Sequence, residues 1–116
     1  MQNKSSVLIV DDEEVVRHAH MRSLEHTGCD ARVAQDGNEA IRVMEQDPAD
    51  VVRLDIRMPG LDGMEVLKTI KTRWPDSEVI VITGYPTIES ASAAVRLGAC
   101  HYIAKPVGPD DVVSAA

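Results

Sequence analysis

Short apolar runs alternate along this chain with longer amphipathic stretches, and this alternation restricts the fold more than any other feature. A run that is apolar throughout is typical of a parallel strand that is covered on both faces. Strands that alternate with helices form a parallel sheet connected by right-handed crossovers. The sequence therefore predicts a doubly wound α/β fold, in which a five-stranded parallel sheet carries helices on both faces. The predicted strands are Val7–Val10, Ala31–Ala34, Val51–Asp55, Val79–Thr83 and Tyr102–Ile103.

The amphipathic stretches predict the helices that connect these strands. Asn38 is expected to cap the second helix, and Gly28 and Gly98 follow the first and fourth, where a C-terminal glycine belongs. Pro109 opens a last helix that the chain end truncates at Ala116. The 116 residues suit a single domain, and the truncated helix suggests a fragment of a longer protein. The complete helices are predicted over Glu14–Thr27, Asn38–Gln46, Met64–Arg73 and Pro86–Leu97.

Composition argues against several kinds of site. The formal net charge of −7 disfavours direct binding of a nucleic-acid backbone by this domain. The N-terminal apolar run, Val7–Val10, is too short for a signal peptide or a membrane span. Cys29 and Cys100 have neither zinc-site nor redox-motif spacing, so we expect reduced thiols in a cytoplasmic protein.

Polar residues stand at the ends of four predicted strands. Asp11 and Asp12 follow the first strand, Asp55 ends the third, Thr83 ends the fourth, and Lys105 follows the fifth. In a parallel sheet of this kind, functional residues gather at the carboxyl ends of the strands, near the point where strand order reverses. We therefore expect three carboxylates, a hydroxyl and an ammonium group to meet at one edge of the sheet.

The chemistry of this set is that of metal binding and phosphoryl transfer. Crowded carboxylates repel one another, and a divalent cation among them removes that repulsion. Ligands that are all oxygens suit Mg²⁺. A carboxylate can also be the nucleophile for a phosphoryl group, whose oxygens then need counter-charges. Mg²⁺, Lys105 and the Thr83 hydroxyl would supply them, so the residues indicate an aspartyl-phosphate site.

Four segments give the chain a specific resemblance: VLIVDDEE, LDIRMPGLDG, VIVITGYPT and HYIAKP. In order and spacing they resemble the signature segments of response-regulator receiver domains of bacterial two-component systems, from Val7 to about Val113. The TGYPT stretch also resembles regulators of the nitrogen-control class. The resemblance implies a flavodoxin-like fold and a signalling switch that is no turnover enzyme. Its phosphodonor would be a sensor-kinase phosphohistidine or a small molecule such as acetyl phosphate.

The resemblance implies a phosphoacceptor and a set of metal ligands. Asp55 would accept the phosphoryl group and also bind Mg²⁺. Asp12 would bind Mg²⁺ directly, and Asp11 mainly through water. The backbone carbonyl of Arg57 would complete the protein ligands.

The resemblance also implies how the site would act on partners. Thr83 and Lys105 would contact the phosphoryl group, and Thr83 with Tyr102 would form the switch. The implied partners are a sensor histidine kinase and an output domain in a longer chain, which would control transcription. A second copy of the domain could pair through the surface of helix 4, strand 5 and helix 5.

Three positions depart from the family pattern. Arg53, His20 and Ser23 stand where the family usually has apolar residues. Each is expected to direct a polar group toward a core that cannot hydrate it.

Three other functions remain as alternatives. A phosphatase of the haloacid-dehalogenase type would need a second acid where Arg57 stands. A flavodoxin-like flavin binder would need a phosphate-binding loop where Asp11 and Asp12 would repel phosphate. A pseudo-receiver would bind partners without phosphorylation; the complete acid, hydroxyl and lysine set disfavours it, but Arg53 leaves it open.

Overall fold

Strands and helices alternate as predicted in this protein, which is described here from a computed structural model covering residues 6–25, 27–56, 63–84 and 86–104. The strands are β1 (Ser6–Val10), β2 (Asp30–Ala34), β3 (Val51–Asp55), β4 (Glu78–Thr83) and β5 (His101–Ala104). The helices are α1 (Glu14–Leu24), α2 (Gly37–Gln46), α3 (Gly63–Arg73) and α4 (Ile88–Arg96). The predicted last helix lies outside the described residues.

The five strands form one parallel sheet in the order β2-β1-β3-β4-β5. From β1 the chain first builds outward to β2 and then returns to place β3 on the other side of β1. The strand order therefore reverses between β1 and β3, which is where functional residues gather in sheets of this kind. The predicted doubly wound fold is confirmed.

Helices cover both faces of the sheet, and β1 shows how its side chains serve the two layers. Leu8 and Val10 belong to the larger core cluster, which α2, α3 and α4 complete. Val7 and Ile9 point to the opposite face and pack with Leu24 of α1. Successive side chains of a strand point to opposite faces, so all the side chains of a strand between two helical layers are buried.

The cap of α2 differs from the prediction. Asp36, and not Asn38, is the N-cap: its Oδ1 accepts a hydrogen bond from the Glu39 N–H at 2.8 Å. Glu39 in turn accepts the Gln35 N–H at 2.7 Å. The Asp36 cap starts the helix at Gly37. Asn38 consequently lies inside the first turn.

The end of α1 is also earlier than predicted. The helix stops at Leu24, and two short turns follow instead of a further helical turn. The N–H of Glu25 donates to the Arg22 carbonyl at 3.2 Å, and that of Thr27 donates to the Leu24 carbonyl at 3.1 Å. Gly28, at φ 78°, therefore closes this turn and does not directly cap the helix.

Helix α4 begins two residues later and ends one residue earlier than predicted. Thr87 is its N-cap and accepts the Ser90 N–H at 3.0 Å. At the other end Gly98 has φ 103°, and the Ala99 N–H donates to the Ala94 carbonyl at 2.9 Å. Helices commonly end in this way: a glycine in the left-handed conformation lets the N–H groups that follow the helix donate to its last carbonyls.

The three departures from the apolar pattern have different outcomes. Arg53 and His20 are buried, at 1% and 5% exposure, as expected of their positions. Ser23 is half-buried, and its hydroxyl donates to the His20 carbonyl at 2.8 Å, so its polar group is satisfied within its own helix. Burial lowers the pKa of the Arg53 guanidinium, and the thiol of Cys29 acts in the opposite direction.

Composition also predicted reduced cysteines and no membrane span. Cys29 and Cys100 have free thiols. Within the described ranges, no helix is both long enough and apolar enough to cross a bilayer.

Candidate functional site

Three carboxylates meet at the carboxyl edge of the sheet, where strand order reverses. Asp11, Asp12 and Asp55 each offer one oxygen, and these three oxygens lie within 4.8 Å of one another. Asp11 and Asp55 are buried, and Asp12 is exposed. The cluster forms because β1 and β3 are neighbours, so that the residues following one strand face the last residue of the other.

Asp11 is held in place by the start of α1. Its Oδ1 accepts the Glu13 N–H at 2.9 Å, and its own N–H donates to the Ala34 carbonyl at 3.1 Å. The guanidinium of Arg17 donates to the Asp11 carbonyl at 2.7 Å. One carboxylate oxygen of Asp11 is thus already engaged by the backbone, whereas Asp12 faces solvent.

The donor set fits a hard divalent cation. All three side chains are oxygen donors, the ligand type that Mg²⁺ prefers. Two oxygens bound to one Mg²⁺ lie at most about 4.2 Å apart. To hold the ion, the cluster would therefore close around it or leave a water between the ion and one carboxylate.

Asp55 and Thr83 end adjacent strands. The Cα partner of Asp55 is Ile82, and Thr83 is the next residue along β4. Thr83 has 0% exposure, and Asp55 has 5%. The predicted convergence at this edge therefore extends from the three acids to the end of β4.

Tyr102 lies on the same face of the sheet as Thr83. Its register partner is Val81, two residues before Thr83, and side chains two apart on a strand share a face. The ring is half-buried and packs against the larger core cluster. Fully buried Thr83 and half-buried Tyr102 are therefore neighbours beneath the edge that carries the acids.

Contacts of the Tyr102 hydroxyl were not predicted from the sequence. It is hydrogen-bonded to the Ser90 hydroxyl and accepts the Thr87 N–H at 3.3 Å. The spacing of Thr87 and Ser90 is a sequence signal for a helix cap, but no local pattern indicates that the cap meets Tyr102. The other two predicted site residues, Lys105 and Arg57, lie outside the described residues.

Comparisons of sequence identify the family of the chain. A family model described as the response regulator receiver domain matches residues 7–116. A putative NtrX-like response regulator of Rickettsia conorii is 40% identical over 109 residues, which are 92% of this chain and 23% of that protein. The DNA-binding transcriptional regulator NtrC of Salmonella typhimurium is 36% identical over 108 residues, 93% of this chain and 23% of that protein. The chain thus spans less than a quarter of these relatives.

Solved structures agree as well. The receiver domain of NtrX from Brucella abortus has a TM-score of 0.87 at 34% identity, covering 94% of this chain and 92% of that one. A receiver domain protein from Methanospirillum hungatei has a TM-score of 0.93 at 28% identity, covering 97% and 90%. The names NtrX and NtrC support the predicted similarity to nitrogen-control regulators. The chain belongs to the response regulator receiver domain family.

Proposed function

We propose that Asp55 accepts a phosphoryl group from the phosphohistidine of a sensor kinase and that this event switches the domain between two states. Membership of the receiver family supports a phosphorylation-dependent signalling module. The observation that carries the assignment to Asp55 is the acid cluster itself. Asp55 is the member that ends a central strand, with Asp11 and Asp12 opposite it.

The transfer replaces one phosphorus bond with another. A carboxylate oxygen of Asp55 attacks the phosphorus, and an O–P bond forms as the N–P bond of the phosphohistidine breaks. The imidazole nitrogen keeps the electron pair of that bond. In the separate hydrolysis step a water oxygen attacks the phosphorus and loses a proton to solvent, the Asp55 oxygen leaves with its electron pair, and inorganic phosphate is released. The domain is thus restored without turning over a separate substrate.

We assign the metal to the acid cluster. Asp12 and Asp55 would bind Mg²⁺ directly, and Asp11 through water because one of its oxygens already accepts the Glu13 N–H. The Arg57 carbonyl is the fourth proposed protein ligand. When bound, the ion neutralises the carboxylates and the equatorial phosphoryl oxygens. Lys105 and the Thr83 hydroxyl are proposed to contact the remaining oxygens.

Phosphorylation is therefore expected to require Mg²⁺ and Asp12. Incubated with acetyl phosphate and Mg²⁺, the parent protein should gain one phosphoryl group in intact mass, and a chelator should prevent the gain. Mg²⁺ titrations followed by amide chemical shifts should show a loss of affinity of about 100-fold in Asp12→Ala and about tenfold in Asp11→Ala. Asp76→Ala, which removes an exposed acid outside the cluster, is the control. Equal Mg²⁺ affinity in all four proteins would rule out the metal site.

The switch is proposed to run from Thr83 to Tyr102. The side chain of Thr83 is fully buried. If its hydroxyl moves toward a phosphoryl group on Asp55, the movement leaves a space at the position that the side chain occupied. Tyr102, half-buried on the same face, is the bulky side chain next to that space. A ligand shifts such an equilibrium only through its different affinity for the two states, and the phosphoryl group favours the state with Thr83 drawn in.

The surface that this movement reshapes includes α4 and β5. Ile88 and Val95 are exposed at 84% and 67% on α4, seven residues apart and hence on one side of the helix. We propose that this surface, with the last helix, contacts a second copy of the domain or the output domain of a longer chain. A docked partner would remove these two apolar side chains from water.

Thr83→Ala should uncouple the phosphoryl site from this surface. With Mg²⁺ and beryllofluoride, a phosphoryl mimic, amide shifts of the parent should change near Asp55 and from Gly84 to Ala104. In Thr83→Ala the changes near Asp55 should persist, and those of α4 and Tyr102 should fade. Sedimentation of the same samples reports whether two copies associate. Undiminished changes around Tyr102 in the variant would contradict the relay.

A further inference from the structure

We propose that Thr87, the N-cap of α4, and Ser90, in its first turn, form a hydrogen-bonded latch that holds Tyr102 in its half-buried position. The hydrogen bonds of this latch add to the free energy needed to switch the domain. These two residues and the Tyr102 hydroxyl form the α4 latch. This inference rests on the proposed function, because Ser90 and Thr87 would position the tyrosine that acts as the switch in that function.

The cap of α4 and the anchor of Tyr102 use the same atoms. Thr87 Oγ1 accepts the Ser90 N–H at 3.0 Å, and the Thr87 N–H lies 3.3 Å from Ser90 Oγ, which completes the capping box. The Tyr102 hydroxyl is hydrogen-bonded to Ser90 Oγ. It also lies 3.3 Å from the same Thr87 N–H. The tyrosine is therefore built into the capping box of the helix.

These shared atoms make the two interactions compete. One N–H, that of Thr87, is divided between the oxygens of Ser90 and Tyr102. The single hydroxyl hydrogen of Ser90 can point to Tyr102 or to the Thr87 carbonyl, which is 3.2 Å away. Departure of the tyrosine would return both donors to the cap. The first turn of α4 thus responds to the position of Tyr102.

The position of the latch decides which state it favours. Thr87 is exposed at the start of α4, and the ring of Tyr102 packs against the larger core cluster, on the sheet face that also carries Thr83. Burying the ring further, as the proposed switch requires, withdraws the hydroxyl from the first turn of α4. The latch therefore stabilises the half-buried state and opposes switching.

Removing either hydroxyl should make switching easier. Ser90→Ala and Tyr102→Phe should each bind beryllofluoride, in the presence of Mg²⁺, about three- to tenfold more tightly than the parent, as expected from the loss of one hydrogen bond in the unswitched state. The double variant should bind no more tightly than the tighter single variant, because both changes remove the same interaction. Affinity is measured from amide shifts of residues near Asp55.

Controls separate the latch from simple helix capping. Ser90→Thr retains the hydroxyl and should bind as the parent does. Ser92→Ala makes the same deletion at an exposed position of α4 and should also have no effect. If Ser90 only caps the helix, its effect will be undiminished in the Tyr102→Phe background, and the latch is excluded.

A readout without beryllofluoride tests the contact itself. The Thr87 amide resonance should shift in Tyr102→Phe, since the variant loses one acceptor of that N–H. An unchanged Thr87 resonance, or parent-like affinity in Ser90→Ala and Tyr102→Phe, overturns the latch while leaving phosphorylation of Asp55 intact. If the parent itself neither gains a phosphoryl group nor binds beryllofluoride, the proposed function fails and the latch fails with it.

Discussion

Asp55→Asn protein, incubated with acetyl phosphate and Mg²⁺, should gain no phosphoryl group under conditions that phosphorylate the parent. Asparagine has nearly the shape of aspartate, so the end of β3 should keep its packing at 5% exposure. Its amide lacks the anionic oxygen that attacks phosphorus. The expected effect is therefore complete loss of the acyl phosphate in a folded protein, measured by intact mass.

Two further measurements make this result specific. Asp76→Asn removes an exposed acid beyond the cluster and should be phosphorylated as the parent is. Hydroxylamine should remove the group from the parent, since it cleaves acyl phosphates. A normal mass gain in Asp55→Asn would place the phosphoryl group on another residue and reject the assignment.

Arg53→Leu should raise the free energy of unfolding by about 1–3 kcal/mol, because replacing a buried charged side chain with an apolar one at the same position often stabilises a protein. Arg53 is 1% exposed in a central strand, between Ile9 of β1 and Ile80 of β4. Desolvation of its guanidinium is large enough to lower its pKa. We expect the free-energy cost of this desolvation to exceed the stabilisation that the contacts of the guanidinium provide. Urea unfolding of the two proteins measures the difference.

The matched control is Arg42→Leu on the exposed side of α2, where the change should stay within about 0.5 kcal/mol. A lower stability of Arg53→Leu would show that the guanidinium is well compensated in the folded state. Arg53 would then be a buried structural cation, and the interpretation of this residue as a misfit would be wrong. Mass gain from acetyl phosphate in the same variant reports whether this charge also affects Asp55.

Local patterns predicted the elements of this fold well. Alternating apolar and amphipathic stretches identified every strand and helix within the described residues, because burial on one or two faces repeats with the period of the backbone. Boundaries were less accurate at α1, α2 and α4. There, hydrogen bonds between particular atoms decide the end, such as that from Glu39 N–H to Asp36 rather than to Asn38.

For the candidate site, too, some features follow from the sequence and others only from the structure. Sequence alone determined which residues stand at strand ends, since the polar residue that follows an apolar run is visible in the letters. Only the tertiary structure decided that β3 lies beside β1, which brings Asp55 to Asp11 and Asp12. It likewise decided that Tyr102 meets the first turn of α4. Such contacts join residues far apart in the chain, and their geometry follows from how whole elements pack, which no local periodicity encodes.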